Sequence, residues 1–230
     1  MSPFFYNCIV TVISIIYVFS VVAIMDWFVK KGFPQDISRK IVHIAAGSWI
    51  FFWVFFDNSH WSKYLNIAPA FIWTVLLIQK GFFAKPDDEA VKTMTRTGDR
   101  RELLKGPLYF TIVMNLMGTF FYNSSLSVTA MAYLGWGDGI APVIGKRFGK
   151  HKYKILSEKS IEGSLAFLIF GFLAAVFFNY LIFGKIGFIQ ILITGIVAMI
   201  SEAISPRDAD NLIIPIVISI LYIFIYGNFI

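Results

Sequence analysis

Acidic, basic and small residues that together could handle phosphate are concentrated in Gly137–Ser164, GDGIAPVIGKRFGKHKYKILSEKSIEGS. Asp138 stands at the end of an apolar run, and a charge at membrane depth is costly and therefore a functional candidate. The glycines and cations after it predict a flexible loop that could bind phosphate oxygens. The stretch therefore predicts phosphate chemistry, provided that it faces a compartment containing nucleotides.

The loop predicted after Asp138 contains Gly145-Lys146-Arg147-Phe148-Gly149, which offers backbone amides and two cations but is not a Walker A loop. Gly137 and the glycines beside it predict that the helix breaks or packs closely at this point. The alternative is a cationic loop that contacts lipid headgroups, with Asp138 neutralised by a nearby lysine.

The end of the same stretch opens the next apolar run. Ser157 or Ser160 is a good helix N-cap, and Glu162 near the first turn suits the helix dipole, so plain capping is one interpretation. Lys159 opposes that dipole unless an anion is bound beside it. A nucleotide phosphate would supply the anion.

Further carboxylates lie where the last two apolar segments join. Glu202 is inside an apolar segment near its end, whereas Asp208, Asp210 and Asn211 stand where the next segment begins. Aspartate and asparagine are good N-caps, which could explain Asp208 or Asp210 without any further role. Glu202 has no such explanation, and with Asp138 it could form an oxygen cage for Mg²⁺.

A basic pair and a histidine, Arg39, Lys40 and His43, mark the entrance to the second apolar segment. Their functional interpretation is phosphate contact by the two cations, with His43 as a hydrogen-bonding or proton-handling group. The alternative is a snorkelling basic pair and a histidine satisfied inside the helix bundle.

The elements that must position these residues are transmembrane helices. The chain of 230 residues is 57% hydrophobic and 15% charged, with a mean hydropathy of +0.71, so it is predicted to be an integral membrane protein. The apolar segments are continuous, which excludes the alternating pattern of a β-barrel. We expect one all-α domain, a polytopic bundle of about eight spans. The expected spans are Phe4–Val29, Ile41–Phe56, Tyr64–Gln79, Pro107–Tyr122, Leu126–Ile144, Ile161–Phe183, Ile186–Ile204 and Leu212–Phe229.

The basic residues of the loops predict the topology. Of the 20 lysines and arginines, 18 fall in or beside the odd-numbered loops, and only Lys63 and Lys185 fall in the others. By the positive-inside rule the odd loops are cytoplasmic and both termini lie outside. Attraction to anionic headgroups would explain the cations but not the carboxylates among them, such as Asp87, Asp99 and Glu158. Mixed charge on one face instead indicates a site for Mg²⁺ and polyphosphate.

Taken together, these residues resemble the polyprenol kinase family, which includes dolichol kinases, phytol and farnesol kinases and CTP-dependent diacylglycerol kinases. The segment ELLKGPLYF is most similar to the phytol and prenol kinase branch. The matching motifs are RKIVH (39–43), RELLKGPLYF (101–110), GDGIAPVIGKRFG (137–149), KSIEGS (159–164) and E…DADNLIIP (202–215).

The resemblance implies transfer of a phosphoryl group from a nucleoside triphosphate, usually CTP, to the hydroxyl of a membrane lipid alcohol. It leaves open whether Asp208 or Asp210 faces the metal, because this chain has Asp-Ala-Asp where relatives often have adjacent acids. The predicted catalytic residues are Asp138, His43 and Glu162; the predicted phosphate-binding residues are Arg39, Lys40, Gly137, Gly145, Lys146, Arg147, Lys159, Ser160 and Gly163; the predicted metal ligands are Asp138, Glu202, Asp210 and Asn211.

The predicted function is that of a CTP-dependent prenol kinase that uses Mg²⁺, works at the cytoplasmic face of a bilayer and has no nucleic-acid partner. A CTP-dependent diacylglycerol kinase and a cytidylyltransferase acting on a lipid phosphate need the same residue types. A transporter is a rival of another class, but the two-fold internal similarity that would favour it is not visible in the sequence.

Overall fold

The computed structural model describes residues 1–85 and 88–226, and their regular structure is nearly all helical. Asp87 and the end of the eighth predicted span lie outside the described residues. The α-helices are α1 (Pro3–Lys30), α2 (Gln35–Gly47), α3 (Ala68–Phe83), α4 (Glu89–Met94), α5 (Gly106–Phe120), α6 (Ser125–Ala132), α7 (Asp138–Phe148), α8 (Ile161–Phe183), α9 (Phe188–Ile204) and α10 (Asp210–Ile220).

Short helical segments of other types complete the pattern. Ser48–Phe55, Trp61–Ile67 and Arg100–Leu104 are 3₁₀-helical, and Tyr133–Gly137 and Leu221–Tyr226 are π-helical. The chain divides into two compact units, Met1–Phe120 and Phe121–Ile230. In the first unit α1 packs against α2 and α3, and α3 packs against α5. In the second unit α8 packs against α6, α7 and α9, while α10 packs against α6 and α9.

The first helix shows the inverted polarity of a protein whose solvent is lipid. Asn7 and Ser14 of α1 are fully buried, whereas Ile13 and Ile16 are half exposed. The buried Asn7 side chain donates hydrogen bonds to Ser62 Oγ at 2.9 Å and to the Asp57 carbonyl at 3.0 Å. Polar groups facing the helix packing and apolar groups facing outward are the arrangement that a bilayer favours.

Three helical segments among the described residues are long and apolar enough to cross a membrane, and two shorter apolar segments follow them. The three are Pro3–Lys30, Trp61–Phe83 and Ile161–Phe183, and the shorter ones are Phe188–Ile204 and Asp210–Tyr226. The helical character of the prediction is confirmed, whereas the number of eight spans remains a prediction. The second predicted span, Ile41–Phe56, is divided between the end of α2 and a 3₁₀ segment, so it is not one continuous α-helix.

The flexible loop predicted after Asp138 is wrong, because residues Asp138–Phe148 form α7. Its acidic N-terminus and basic C-terminus both match the helix dipole, which favours the helix despite its glycines. The purely α-helical prediction also missed a hairpin. Strand β1 (Lys152–Lys154) pairs antiparallel with β2 (Glu158–Ser160), with Tyr153 opposite Lys159.

Candidate active site

Three carboxylates that are distant in sequence meet in the second unit. One side-chain oxygen each from Asp138, Glu202 and Asp210 lies within 4.8 Å of the others. Asp138 is the first residue of α7, Glu202 lies near the end of α9, and Asp210 is the first residue of α10. Asp138 and Glu202 are each only 5% exposed. The structure therefore brings together three of the predicted metal ligands.

Lys159 completes this cluster. Its Nζ donates hydrogen bonds to Glu202 Oε1 and to the Glu202 carbonyl, and it lies 3.9 Å from Asp210 Oδ2. The Lys159 side chain is 14% exposed. The anion beside Lys159 in this structure is the protein's own Glu202 carboxylate, and phosphate binding by Lys159 stays a prediction. Three carboxylates and one ammonium leave the four side chains with a formal charge of minus two when all are ionised.

A π-helical turn carries Asp138 to the cluster. The Tyr133 hydroxyl donates to the Ile191 carbonyl at 2.9 Å, and its ring stacks on Phe167 at 5.8 Å between centroids. A Cβ on Gly137 would stand 3.0 Å from the Phe167 carbonyl. Of the two predicted alternatives beside Asp138, close packing is confirmed, whereas the helix is not broken but continues through a π-helical turn. Such turns are frequent at functional sites.

The hairpin carries Lys159 to the cluster. The Tyr153 and Ser164 hydroxyls are 2.6 Å apart, and the Ile161 N–H donates to the His151 carbonyl at 3.0 Å. These contacts tie β1 to the start of α8. Sequence reasoning missed Tyr153 and His151, although the alternation in Lys152-Tyr153-Lys154 is a weak strand signal.

Glu162 lies at the base of this hairpin. Its carboxylate accepts from the backbone N–H groups of Lys150 at 3.1 Å and His151 at 3.2 Å, and Oε1 is 2.8 Å from His151 Nδ1. These contacts hold β1 against the first turn of α8. The catalytic role predicted for Glu162 remains a prediction beside this observed positioning role.

The predicted phosphate-binding glycines have a packing role. A Cβ on Gly145 would stand 2.9 Å from Ser160 Oγ, and a Cβ on Gly163 would stand 3.0 Å from the Ala141 carbonyl. Both residues therefore allow α7 and α8 to approach closely. Ser160 caps α8 by accepting from the Gly163 N–H at 3.1 Å, which confirms the capping interpretation.

The two predicted phosphate-binding cations of α7, Lys146 and Arg147, are exposed in its last turn. Positive charge there is favoured by the helix dipole. Phosphate binding by these cations, and by the glycines and Ser160, stays a prediction.

The donor set of the cluster fits Mg²⁺. Carboxylate and amide oxygens are the ligands that hard divalent cations prefer. Asn211 Oδ1, next to Asp210, is buried and receives no hydrogen bond from any residue in the described ranges. Of the two candidate aspartates, Asp210 belongs to the cluster of three carboxylates. Asp208 instead has a left-handed backbone, with φ of 69°.

The remaining predicted residues belong to the first unit. Arg39, Lys40 and His43 lie inside α2, which begins at Gln35, and their place at the entrance to a membrane span stays a prediction. The His43 ring is 4.2 Å from the Phe110 ring, between centroids. Their phosphate-binding and catalytic roles remain predictions.

Comparison with known proteins finds similar chains in plants. A probable phytol kinase of Triticum aestivum, described as chloroplastic, is 31% identical over 215 residues, which are 86% of this chain and 70% of the relative. Phytol kinase 1 of Arabidopsis thaliana, also chloroplastic, is 28% identical over 81% of this chain and 66% of its own. The chloroplastic farnesol kinase of Arabidopsis thaliana is 35% identical over 70% of this chain and 53% of its own.

The chain thus spans between about half and 70% of the length of these relatives. No protein-family model matches it. No solved structure matches it either. The identity to the Triticum aestivum protein, together with its coverage, shows the family. The chain belongs to the polyprenol kinase family, phosphotransferases with an alcohol acceptor, in the branch of the phytol and farnesol kinases.

Proposed function

We propose that this chain transfers the γ-phosphoryl group of a nucleoside triphosphate, CTP in the first place, to the hydroxyl of a membrane prenol. The observation that carries the proposal is the buried cluster of Asp138, Glu202 and Asp210 with Lys159. Phosphoryl transfer asks the protein for in-line positioning and charge neutralisation, and this cluster offers both signs of charge. The relatives' names, phytol kinase and farnesol kinase, support a prenol as the acceptor.

Asp138, Glu202, Asp210 and Asn211 would hold Mg²⁺ through their oxygens. Bound there, Mg²⁺ would neutralise negative charge on the phosphate oxygens. The carboxylates come from the ends of three helices, two of them buried and Asp210 partly buried, so the packing of the helices would position the ligand set. No soluble domain is needed for such a site.

Lys159 would move part of its hydrogen bonding from Glu202 to a phosphate oxygen, with Lys146 or Arg147 binding further oxygens of the triphosphate. In the first unit, Arg39 and Lys40 would be additional phosphate contacts. The proton of the acceptor hydroxyl would pass to a carboxylate, Asp138 or Glu162, or to His43.

The acceptor tail would lie between helices, in contact with the bilayer. An aliphatic tail loses little free energy when it moves from lipid to the apolar surface of a helix, because lipid tails and aliphatic side chains are similarly apolar. We further propose the eight-span topology, with the cluster on the cytoplasmic face and both termini outside.

The direct test uses purified protein, Mg²⁺, γ-labelled CTP and phytol, farnesol, geranylgeraniol, dolichol or diacylglycerol as the acceptor. We expect label in the lipid phosphate of at least one prenol and release of CDP. Label in diacylglycerol alone would assign the chain to the diacylglycerol kinases. If a lipid phosphate is supplied instead as the acceptor, release of pyrophosphate from CTP would indicate a cytidylyltransferase. Label in none of the five lipids would refute the kinase proposal.

A further inference from the structure

The hairpin that carries Lys159 exposes two large apolar side chains at its tip. Ile155 is 58% exposed and Leu156 is 62% exposed, in the turn between β1 and β2. Lys152 and Lys154 are exposed on the strand leading to the tip. Exposure of two neighbouring aliphatic side chains to water is unfavourable, and the rest of the described chain leaves more than half of each side chain uncovered.

Two contacts place the tip beside helix ends. Next to Leu156, Ser157 Oγ donates to the Ser205 carbonyl at 3.0 Å, and Ser205 directly follows the apolar helix α9. At the other end of the hairpin, Tyr153 is tied to Ser164 in the first turn of α8. Three-residue strands span only about 10 Å. The tip is therefore held close to the ends of two apolar helices, which the proposed topology places at the surface of the bilayer.

We propose that Ile155 and Leu156 insert into the headgroup layer of the surrounding bilayer, and that the adjacent lysines bind its anionic lipids. The headgroup region is roughly 5–7 Å thick on each side of the hydrocarbon core, which a short hairpin can reach. Interfacial anchors typically combine aliphatic residues with lysines, because the aliphatic side chains contact the lipid tails while the lysines bind the anionic headgroups. The charge of Lys152 and Lys154 favours this partner over an apolar protein surface.

The anchor also has a mechanical consequence. Strand β2 is only three residues long, and it contains Lys159 two residues after the turn residue Ser157. An anchored tip restrains the strand from which Lys159 reaches Glu202. This consequence rests on the proposed function, whereas insertion of the tip can be measured without any turnover.

The experiment exploits the single cysteine of the chain, Cys8. In a Cys8→Ser background, Leu156→Cys is labelled with the environment-sensitive fluorophore NBD and reconstituted into phosphatidylglycerol or phosphatidylcholine vesicles. Ile155→Cys is the second position, in case the first variant does not fold. Glu158→Cys, an exposed position on the same hairpin, is the matched control.

We expect a blue-shifted emission at both tip positions in phosphatidylglycerol, quenching by lipids brominated near the headgroup, and neither effect at Glu158→Cys. The shift should decrease in phosphatidylcholine and when Lys152 and Lys154 are both replaced by glutamine. A water-like emission at both tip positions in phosphatidylglycerol would overturn the proposal. So would a shift that appears only when a soluble protein is added, which would identify a protein partner. Either result would leave the kinase proposal intact.

Discussion

Two groupings of lysine and carboxylate, one in each unit, have the same residue types and very different surroundings. In the first unit Lys30 and Glu89 form an ion pair of 2.5 Å, and their side chains are 56% and 64% exposed. In the second unit the side chains of Lys159 and Glu202 are 14% and 7% exposed. Among the described ion pairs, Lys30 and Lys80 of the first unit each lie beside one carboxylate, whereas Lys159 lies beside two and in a group of three.

We propose that the exposed pair has a structural role and the largely buried cluster a chemical one. Exposed pairs join α4 to its neighbours and contribute about 0–1 kcal/mol each. Burying the second cluster requires removing four charged groups from water, which is costly even with good pairing. A fold keeps an excess of buried negative charge where that charge binds something, so perturbed clusters of this kind mark functional sites.

Replacing Asp138 by asparagine should have the largest effect. The change keeps the size of the side chain but removes one of the three negative charges, so we expect a loss of kcat/KM on the order of 100- to 1,000-fold. The assay is label transfer from CTP to the preferred prenol. Asp88→Asn in the first unit should retain wild-type activity. An Asp138→Asn enzyme within a few-fold of wild type would remove Asp138 from the site.

Replacing Lys159 by methionine keeps the apolar stem but removes the positive charge. We expect a loss on the order of 100-fold in kcat/KM, because negative charge on the phosphates is then no longer neutralised at this position. Removal of one member of a buried pair also destabilises the fold, by about 3–5 kcal/mol. Thermal unfolding must therefore be measured beside activity. Lys30→Met is the control, and we expect it to leave both quantities nearly unchanged; equal effects of the two variants would mean that burial of the cluster has no functional meaning.

Asn211→Leu should act through metal affinity. The variant removes an oxygen beside Asp210 while keeping the carboxylates, so we expect activation to require roughly 10- to 100-fold more Mg²⁺. The rate at saturating Mg²⁺ should stay near the wild-type value. The exposed Asn58, changed to leucine, serves as the control. An unchanged Mg²⁺ dependence of Asn211→Leu would exclude this side chain from the metal site.

The Lys80–Asp88 pair of the first unit should show a small pH dependence of stability. Burial alone would raise the pKa of Asp88, but hydrogen bonds from Lys80 Nζ and from the Val91 N–H bring it below its ordinary value. A lowered folded pKa means that the pair stabilises the fold above the unfolded pKa of about 3.9, and that this contribution disappears as the pH falls through the folded pKa.

We therefore expect Asp88→Asn to lower the free energy of unfolding by about 0.5 kcal/mol at neutral pH. The difference from wild type should shrink once the pH falls below about 3.9 and vanish only below the lower folded pKa of Asp88. Thermal unfolding of both proteins across this range makes the comparison. A difference that grows as the pH falls would contradict the sign of the pKa shift.

The main parts of the site could be predicted because charge inside apolar sequence has few explanations. Asp138 and Glu202 each interrupt an apolar run, and the positive-inside rule put their helix ends on the same predicted face. Both residues could be selected without knowledge of tertiary contacts, and the structure brings a carboxylate oxygen of one within 4.8 Å of a carboxylate oxygen of the other. The capping role of Ser160 could also be predicted, because helix N-caps have a local sequence signature.

The connections within the site could not be predicted, because tertiary contacts decide them. Strand β1 has only three residues and depends on the contact of Tyr153 with Ser164 and on Glu162 at the hairpin base. Glycine has a low helix propensity, so the glycines of α7 favoured the prediction of a loop. In the structure Gly145 is instead a helical residue whose missing side chain allows α7 and α8 to approach closely. The partner of Lys159 is 43 residues away, which no local pattern reveals.

Binding of a divalent metal by the carboxylates of Asp138, Glu202 and Asp210 can be measured without turnover. Mn²⁺ accepts the same oxygen ligands as Mg²⁺, and its EPR signal decreases when it binds to protein. Titration of the reconstituted protein should reveal a saturable site whose affinity falls at least about 10-fold in Glu202→Gln and is unchanged in Glu89→Gln. Equal Mn²⁺ binding by wild type and Glu202→Gln would contradict the proposed metal site.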